Sequence, residues 1–510
     1  MVITSQVRTP AATPTHNRWM TLVIVCIGAM MAFVNASSTI SALAPLQDDL
    51  HISGSTLVWV TASYALAVAS LVMTGGTLGE IYGRRRIFMA GVGLSALGSL
   101  IATLAPNAGV LVGGQALIGI GAAGALPAGL AIVSVTFTEP RERTSAISLW
   151  ASCAGLGLAI GPLVAGALLD QFSWREVYLT NVVLGALAIV LSLIALPESK
   201  HPTRRLDPAG VVLGTMATGA ATFAIIEGGA EGFGTPRVLA SMAIFVVAFA
   251  AFLLVESRHR DPMLDLRLFS SGSFSAVMLV ACTAMFAFVG LALLSVLYLE
   301  RVSSIDALGT GVRLLPMMAT YIIVSAFAAG IVARLGFTVP LTLGLLLMAA
   351  GAFTMLSIAS TGSYATMWPG LTLAGTGAAL LMAPATAAAV NSVSPHQAGM
   401  ASATVNTFRQ LGSMLGPSVL GTIATSQFPK HLVSNLTQMG FPRDAANSIA
   451  YSISHGQRPH GDPAQAAAVA HAAADALTTA LRQGYLVGAI VLVVMAGVCA
   501  SFVRHRHVEA

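Results

Sequence analysis

The stretch Gly75-Gly76-Thr77-Leu78-Gly79-Glu80-Ile81-Tyr82-Gly83-Arg84-Arg85-Arg86 is a glycine-rich, basic turn between two long apolar runs. Arginine is unfavourable at the centre of a membrane helix, where each one costs about 2.5–3.5 kcal/mol. Three adjacent arginines therefore place this turn at a membrane surface. Because cytoplasmic loops carry an excess of Lys and Arg, we expect it at the cytoplasmic surface.

The composition of the 510-residue chain indicates a membrane protein rather than a set of soluble domains. Hydrophobic residues make up 56% of the chain and charged residues 9%, whereas ordinary globular domains have roughly 45–50% and 25%. A soluble protein this apolar would be unable to cover its surface with polar groups. The sequence therefore predicts an all-α polytopic membrane protein whose partners are the lipid bilayer and a small-molecule substrate. Cytoplasmic loops explain the net charge of +5, so nucleic acid is not an expected partner.

Apolar runs of about 20 residues, the length that crosses a bilayer core of about 30 Å, recur along the whole chain. The first begins at Trp19 and is too long for a signal-peptide core, so we interpret it as a retained span. The runs predict fourteen transmembrane helices: 20–42, 57–75, 87–106, 110–134, 145–168, 178–196, 209–228, 238–255, 273–298, 310–332, 338–359, 365–390, 402–425 and 485–503.

The distribution of basic residues predicts that both termini are cytoplasmic. In that orientation the short outer loops receive only Arg175, Arg237 and Arg301. The inner segments receive Arg8, Arg18, Arg84, Arg85, Arg86, Arg141, Arg143, Lys200, Arg204, Arg205, Arg258, Arg260, Arg267, Arg334, Arg504 and Arg506. This asymmetry follows the positive-inside rule. We expect a multi-pass protein of the cytoplasmic (inner) membrane.

The spans predict an arrangement of five parts. These are a cytoplasmic tail (1–18), a six-helix half (19–200), two inserted helices (201–260), a second six-helix half (261–503) and a cytoplasmic tail (504–510). The second half includes the only long polar segment, an outer loop at 426–484. The early part of this loop is interpreted as irregular, and Pro463 to Leu481 as an Ala-rich surface helix. Its large apolar residues are too few to predict an independent core.

An internal repeat relates the two halves. The fifth span contains Gly157, Gly161, Pro162 and Gly166, and the thirteenth contains Gly412, Gly416 and Pro417. Gly157, Gly161 and Pro162 each lie 255 residues before their counterparts. This spacing indicates parallel repeats around a central site, which is a transporter arrangement. Small residues allow close helix packing, and proline weakens a helix locally. Ordinary packing and a bend shared by both halves are therefore both open for this motif.

Other motifs argue against an enzyme or a cofactor site. Gly119 to Gly124 formally matches GxGxxG, but it lies within a predicted membrane helix rather than after a strand. The four cysteines, Cys26, Cys153, Cys282 and Cys499, lie far apart in the sequence and form no CxxC pair. We therefore predict no disulfide and no metal site. No nucleophile–base pair is evident, so the chain is not expected to be an enzyme.

Several of these motifs resemble those of a known family. The opening stretch resembles the loop 2–3 signature of the major facilitator superfamily, and Gly157–Gly166 resembles its antiporter motif. The fourteen spans, the pair Trp174-Arg175 with Asn181, Leu196–Lys200 and Asp261–Phe269 look like those of the fourteen-span drug:proton antiporter family, the QacA-type multidrug exporters. The resemblance implies a major facilitator fold, with two six-helix halves plus two inserted central helices. It also implies proton-driven antiport and drug resistance. We expect a monomer without a cofactor.

The resemblance further implies a substrate cavity near the membrane midplane. The candidate residues are Asn35, Thr39, Thr61, Tyr64, Gln115, Tyr321, Asn406, Arg409 and Gln410. Where the family usually has an aspartate and an arginine, this chain has Asn35 and Gln115. Loss of both charges is coherent, since either one alone would be costly in the membrane. The two amides can hydrogen-bond to each other, but neither takes up a proton at neutral pH.

The remaining candidates concern gating, coupling and cargo charge. Arg409 either faces the cavity, which would favour anionic or zwitterionic cargo, or extends toward the cytoplasmic surface. Glu227 and Glu300 are the nearest acids for proton coupling, or else they are ordinary interface residues. In the cytoplasmic gate motif we expect Glu80 to pair with a helix N-terminus or an arginine. The motif residues are Gly76, Gly79, Glu80, Gly83, Arg84 and Arg85.

The sequence thus predicts an exporter of small hydrophobic compounds that works by alternating access, with drug:proton antiport implied by the resemblance. Two alternatives stay open. One is a facilitative or differently coupled exporter of a lipid or metabolite. The other is a membrane sensor or scaffold that transports nothing.

Overall fold

The computed structural model describes residues 18–52, 54–199, 207–258, 266–360, 363–393, 398–454 and 463–503, which form helices and no strand. The helices are α1 (Arg18–Ser41), α2 (Leu43–Leu50), α3 (Gly54–Tyr82), α4 (Arg84–Thr103), α5 (Ala108–Thr136), α6 (Pro140–Leu169), α7 (Trp174–Ala195), α8 (Pro208–Glu231), α9 (Pro236–Arg258), α10 (Gly272–Leu297), α11 (Ala307–Leu335), α12 (Thr338–Thr354), α13 (Trp368–Asn391), α14 (Ala398–Gln438), α15 (Arg443–Ser454) and α16 (Pro463–Phe502). A π-helical turn (Tyr298–Val302) follows α10, and three short 3-10 helices (Leu266–Ser270, Met355–Ser357, Tyr364–Thr366) lie in the connections. The predicted all-α fold class is confirmed.

The helices have the length and composition of membrane spans. Within the described residues, eleven helices are long and apolar enough to cross a membrane. The number rises to as many as twelve if the bent pair Thr56–Val72 and Thr74–Tyr82 counts as one span. Each of the fourteen predicted spans overlaps a long helix, but the count of fourteen crossings stays a prediction. Large apolar side chains point outward, with Ile194 73% and Val247 69% exposed, as expected for surfaces that face lipid.

Helix pairing is the same in the two parts of the chain that the sequence repeat relates. In the first part α1 packs on α6, α5 on both α3 and α4, and α7 on α4. In the second part α10 packs on α14, α13 on both α11 and α12, and α16 on α12. These are the pairings that parallel repeats require. We call the two groups the amino-terminal half (α1–α7) and the carboxy-terminal half (α10–α16).

The two halves meet along two seams, one between α6 and α11 and the other between α3 and α14. On the first seam Gly166 lies against the backbone of Leu308. A methyl group added to Gly311 would lie 3.0 Å from the carbonyl carbon of Pro162. On the second seam Gly421 lies near Val58. Small residues thus let helices from opposite halves approach closely.

The inserted pair α8 and α9 lies against the second seam. The two helices pack on each other, and α8 also packs on α3 and α14. The Ser70 and Thr218 hydroxyl oxygens are 2.8 Å apart, and the Thr222 hydroxyl donates to Met414 Sδ at 3.2 Å. Helix α8 therefore contacts both halves. The predicted boundaries at residues 200 and 260 lie outside the described residues, so the division at those points stays a prediction.

The early part of the outer loop, which was expected to be irregular, is largely helical, and the predicted helix from Pro463 to Leu481 is part of α16. Helix α14 continues without a break to Gln438, α15 follows, and α16 begins at Pro463. We call residues 426–454 and 463–484 the cap. The end of the bundle next to it is the cap side, and the opposite end, where Gly83 lies, is the turn side. The expectation that this segment has no independent core stays a prediction: α14, α15 and α16 pack together around a small buried cluster. It consists of Leu432, Leu436, Ala446, Ala450, Val469, Ala472 and Ala476.

Candidate functional site

The basic turn joins α3 to α4 through Gly83. Its φ of +112° is a conformation that side chains with a Cβ rarely adopt. A methyl group added there would also lie 2.7 Å from the carboxyl carbon of Glu198. The backbone conformation therefore favours glycine at this position, and the absence of a side chain leaves room for the Glu198 carboxylate.

The N-terminus of α4 binds the carboxylate of Glu198. The backbone N–H of Arg85 donates to Glu198 Oε1 at 3.2 Å, and Arg86 Nε lies 3.7 Å from Glu198 Oε2. The backbone N–H of Arg84 donates to the Ser199 carbonyl at 2.9 Å. A negative charge is favourable at a helix N-terminus. Glu198 thus lies at a helix N-terminus of the gate motif, while the predicted pairing of Glu80, which is half-buried at the end of α3, stays a prediction.

The motif glycines pack on α5. A methyl group added at Gly76 would lie 3.6 Å from Pro127, and one at Gly79 would lie 3.8 Å from Ala128. Arg85 Nη2 donates to the Leu193 carbonyl, near the end of α7, at 3.0 Å. These contacts bind α3, α4, α5 and α7 together within the amino-terminal half. A role for the motif in locking the two halves stays a prediction.

A network of buried polar side chains lies inside the amino-terminal half. Asn35 Nδ2 donates to Gln115 Oε1 at 3.2 Å, which is the expected hydrogen bond between the two amides. Gln115 Nε2 donates to Thr39 Oγ1 at 2.8 Å and to the Tyr178 hydroxyl oxygen at 3.0 Å. Asn181 Nδ2 donates to Asn35 Oδ1 at 3.0 Å. Helices α1, α5 and α7 are therefore joined by polar contacts that carry no formal charge.

The position of this network differs from the sequence interpretation. Asn35, Thr39 and Gln115 are each no more than 2% exposed, so they lie between helices of one half and do not line an open cavity. Sequence reasoning did not include Tyr178 in the site. The signal was present, because Tyr178 and Asn181 are three residues apart and lie on the same face of α7.

Two further candidates lie on α3, one turn apart. The Tyr64 hydroxyl donates to the Ala32 carbonyl at 2.9 Å, which ties α3 to α1. The Thr61 hydroxyl donates to the Val58 carbonyl of its own helix at 3.0 Å. Thr61 also lines a cavity on the cap side, described below.

The candidates of the carboxy-terminal half form a second group. Arg409 Nη2 donates to the Met382 carbonyl and, at 2.7 Å, to Thr386 Oγ1, both on α13. Tyr321 on α11 is close enough to Arg409 to interact with it electrostatically. The guanidinium is therefore held between helices of this half. Asn406 is half-buried and Gln410 is buried on the same helix, α14.

The two groups are separate. The hydrogen bonds of the Asn35 network join α1, α5 and α7, whereas those of Arg409 join α13 and α14. Each group fixes helices within its own half. The nine predicted cavity residues are thus not brought together as one cluster.

The repeated glycine motif forms close helix contacts in both halves. A methyl group at Gly157 would lie 2.9 Å from the Met30 carbonyl oxygen on α1. A methyl group at Gly416 would lie 3.0 Å from the carbonyl carbon of Phe286 on α10. Gly161 and Gly412 approach the same two helices as closely. Pro162 and Pro417 lie inside helices that continue past them, so the contacts support packing, and the shared bend stays a prediction.

Glu227 and Glu300 have different surroundings. Trp59 Nε1 donates to Glu227 Oε1 at 2.8 Å, which links α3 to the inserted helix α8. Glu300 lies in the π-helical turn after α10. Its Oε1 atom is buried and has no hydrogen-bond partner among the described residues.

A cavity of about 1290 Å³ lies beside Glu300 on the cap side, and we call it the vestibule. Both halves, the end of α8 and the cap contribute to its walls. Arg301 Nη2 donates to Gln47 Oε1 at 2.5 Å, a bond that joins the two halves at this cavity. Sequence reasoning missed the vestibule because it forms only where these four parts meet.

A third polar cluster lies at the cap-side end of the amino-terminal half. Asp49 Oδ2 accepts from Trp174 Nε1 at 2.9 Å and from Arg175 Nη1 at 3.0 Å. These two hydrogen bonds lower the pKa of Asp49 below its usual value. Nothing in the sequence indicated Asp49, which is separated by 125 residues from Trp174.

The cysteines are closer in space than the sequence suggested. Cys26 on α1 and Cys153 on α6 are close enough to interact, and both are free thiols. Within the described residues, no group of three or more His, Cys, Asp or Glu side chains is arranged to hold a metal ion.

Known proteins match this chain over most of its length. Residues 25–417 match the family model described as Major Facilitator Superfamily. The chain is 36% identical over 405 residues to the multidrug resistance protein Stp of Mycobacterium tuberculosis, covering 79% of this chain and 75% of Stp. It is 32% identical over 447 residues to the tetracenomycin C resistance and export protein of Streptomyces glaucescens, covering 86% and 82% of the two chains. The crystal structure of a bacterial homologue of the human lysosomal transporter Spinster, in an inward-facing and unoccupied conformation, superimposes with a TM-score of 0.65. That match has 17% identity and covers 98% of this chain and 100% of the other, so it bears on the fold alone.

Proposed function

Because the chain belongs to the major facilitator superfamily, we propose that it exports small hydrophobic compounds, drugs among them, across the cytoplasmic membrane. The observation that carries this proposal is the 36% identity to a multidrug resistance protein over 79% of the chain. A second relative is named as a resistance and export protein. In this proposal the protein acts as a monomer in the inner membrane, with both termini in the cytoplasm.

The arrangement of the halves supports transport by alternating access. Each half is held together internally, by the Asn35 network in one and by the Arg409 contacts in the other. Between the halves, the seams are built from small residues such as Gly166 and Gly311. Two internally rigid bodies joined by closely packed seams are suited to rocking around a site between them.

We further propose that export is coupled to proton entry, with Glu300 as the acid that binds the proton. Asn35 and Gln115 are amides that bind no proton at neutral pH, so the usual positions are unavailable. Glu227 accepts a hydrogen bond from Trp59, which occupies one of its oxygens. Glu300 has a buried carboxylate oxygen without a hydrogen-bond partner among the described residues, next to the vestibule. An acid in such surroundings is a candidate for proton binding.

Accumulation of cationic, neutral and anionic fluorescent compounds in an efflux-deficient bacterial host tests the function. Cells that express the chain should accumulate less of at least one compound than cells with an empty vector, and a protonophore should abolish the difference. Export that persists after the proton gradient collapses would contradict antiport and favour a facilitative or differently coupled carrier of a lipid or metabolite. Equal accumulation of every compound would favour a non-transporting sensor or scaffold.

A further inference from the structure

The inserted helix α8 is attached to the two halves in different ways. We propose that the inserted pair, α8 and α9, moves as part of the amino-terminal half and slides along α14 of the carboxy-terminal half when the halves rock. This inference rests on the proposed transport by alternating access and adds to it a role for the inserted pair.

Two hydrogen bonds fix α8 to α3 of the amino-terminal half. Trp59 Nε1 donates to Glu227 Oε1 at 2.8 Å near the cap side, and the Ser70 and Thr218 hydroxyl oxygens are 2.8 Å apart closer to the middle of both helices. All four side chains are at least partly buried. Separating α8 from α3 would leave polar groups unpaired among apolar side chains, which is unfavourable.

Apolar packing reinforces the same contact. Val58 and Ala62 of α3 form a buried cluster with Ile226 of α8, and Trp59 packs against it. The centre of the Trp59 ring system is 6.2 Å from that of Phe223, which also lies on α8. Hydrogen bonds and close packing together hold membrane helices in one relative position. Helix α8 is therefore fixed to α3.

The polar contact between α8 and α14 is weaker. The Thr222 hydroxyl lies 3.2 Å from Met414 Sδ, and a thioether sulfur is a weak hydrogen-bond acceptor. The same hydroxyl lies 2.8 Å from the Thr218 carbonyl oxygen of its own helix. Thr222 thus keeps a hydrogen-bond acceptor when it moves away from Met414, so this contact can break without leaving a buried polar group unpaired.

The second contact between α8 and α14 is made without a polar bond. Gly229 of α8 lies against the side chain of Thr422. Thr422 is buried, and its hydroxyl has no hydrogen-bond partner among the described residues. A glycine surface beside a side chain that it does not bind presents no polar contact that holds the register. Small sliding movements of packed helices occur at such contacts.

The asymmetry gives the inserted pair a function at the second seam. Helix α8 packs on both α3 and α14, so it lies across the line where the halves separate. Helix α9 packs on α8, with the Ser241 hydroxyl donating to the Ala220 carbonyl at 2.8 Å, and exposes Val246 and Val247 on its outer side. A pair that stays with α3 and overlaps α14 would cover the seam and keep lipid out of it while the halves rock.

Reversible cross-linking of full-length protein tests which half carries the pair. In a variant whose four cysteines are replaced by alanine, one cysteine pair is placed between α3 and α8 (Ser70→Cys with Thr218→Cys). A second pair is placed between α8 and α14 (Thr222→Cys with Met414→Cys). A bis-methanethiosulfonate reagent bridges each pair through a short spacer, and mass spectrometry of peptides verifies the bridge. The measured quantity is the export of ethidium, a fluorescent lipophilic cation.

The two bridges should have opposite effects. The α3–α8 bridge should change export less than twofold, because these helices move together. The α8–α14 bridge should reduce export at least tenfold, and a reducing agent should restore it. Single-cysteine variants treated with the same reagent are the controls. Loss of export with the α3–α8 bridge, or normal export with the α8–α14 bridge, would overturn the proposal.

Distances between spin labels give a second measurement that does not depend on export. Pulsed electron paramagnetic resonance in lipid nanodiscs is applied to labels at the exposed turn-side residues Leu254 of α9, Ile194 of α7 and Phe502 of α16. The Leu254–Ile194 distance distribution should be narrow. The Leu254–Phe502 distribution should be at least twice as wide, because the halves occupy both rocking positions. Equal widths would overturn the proposal.

This inference and the proposed function fail in different ways. Export by the untreated variants that is lost with the α3–α8 bridge would leave the function intact and reject the inference. A wild-type chain that lowers accumulation of no compound would reject export, and the label distances would still decide which half the inserted pair follows.

Discussion

At the residue scale, the Asn35 network explains how a half-bundle tolerates polar groups in its interior. Asn35 and Gln115 bind each other, and Thr39, Tyr178 and Asn181 complete their hydrogen bonds. Buried polar groups are stabilising only when they are paired. Here neutral groups make the hydrogen bonds, although Asn181 Oδ1 is buried and has no partner among the described residues. The helices are therefore joined without a buried ion pair.

Charge introduced into this network should be tolerated only as a pair. Asn35→Asp or Gln115→Arg alone leaves a buried charge without a partner, which costs about 3–5 kcal/mol. We expect either single variant to lower the unfolding temperature markedly, and the double variant to recover most of the loss. A double-mutant cycle from thermal unfolding of purified protein measures the coupling. Additive effects of the two substitutions would show that residues 35 and 115 do not interact as described.

Asp49 should contribute a stability that depends on pH. Its pKa is lowered by hydrogen bonds from Trp174 and Arg175, so the folded state favours the carboxylate. The contribution is present above the unfolded pKa of about 3.9 and is lost as the pH falls through the lower folded pKa. The unfolding temperature of wild type should exceed that of Asp49→Asn at pH 7, and the gap should narrow below about pH 4. The neighbouring Asp48→Asn serves as control and should show no such gap; an equal gap in both variants would contradict the assignment.

At the element scale, glycine determines how closely the helices of each half approach. Gly412 lies against the backbone of Cys282, and Gly157 lies against that of Met30. By contrast, a methyl group added at Gly497 on α16 would meet no atom within 4 Å. The same residue type therefore has a packing role at some positions and none at others.

Alanine substitution should distinguish a glycine in a close helix contact from a glycine that has open space beside it. Gly412→Ala pushes α14 away from α10, and overpacking of this kind costs about 1–3 kcal/mol. Gly497→Ala should be neutral or slightly stabilising, since alanine is the better helix former. Thermal unfolding of the two variants in the same detergent gives the comparison. A Gly412→Ala protein as stable as the wild type would contradict the close contact.

The sequence was informative about helices and less so about where their polar faces point. Composition and apolar runs predicted the all-α fold, and the 255-residue repeat predicted the shared pairing of the halves. The early part of the cap was expected to be irregular but is helical, because its helices pack through alanines such as Ala446 and Ala472, which carry little hydrophobic signal. Asn35 and Gln115 were assigned to a cavity because polarity in a span does not reveal whether the residue faces a neighbour or water.

At the scale of the whole molecule, the halves are joined along the two seams and, on the cap side, by the Gln47–Arg301 bond. A bifunctional thiol reagent of about 10 Å should bridge Gln47→Cys and Arg301→Cys, because two long side chains meet there. If the halves rock, this bridge should reduce export at least tenfold. When the reagent contains a disulfide, a reducing agent should cleave the bridge and restore export. Each single variant, treated with the same reagent, is the control. Unchanged export by the bridged protein would contradict rocking at this position.

The central claim, export driven by proton entry, is tested most directly by purified protein in liposomes with an imposed pH gradient. Ethidium transport should be driven by the gradient in the wild type and in Glu231→Gln, and nigericin, which dissipates the gradient, should abolish it. Glu300→Gln should lose the dependence on the gradient while its unfolding temperature stays close to that of the wild type. Wild-type transport at the same rate with and without the gradient would contradict the claim.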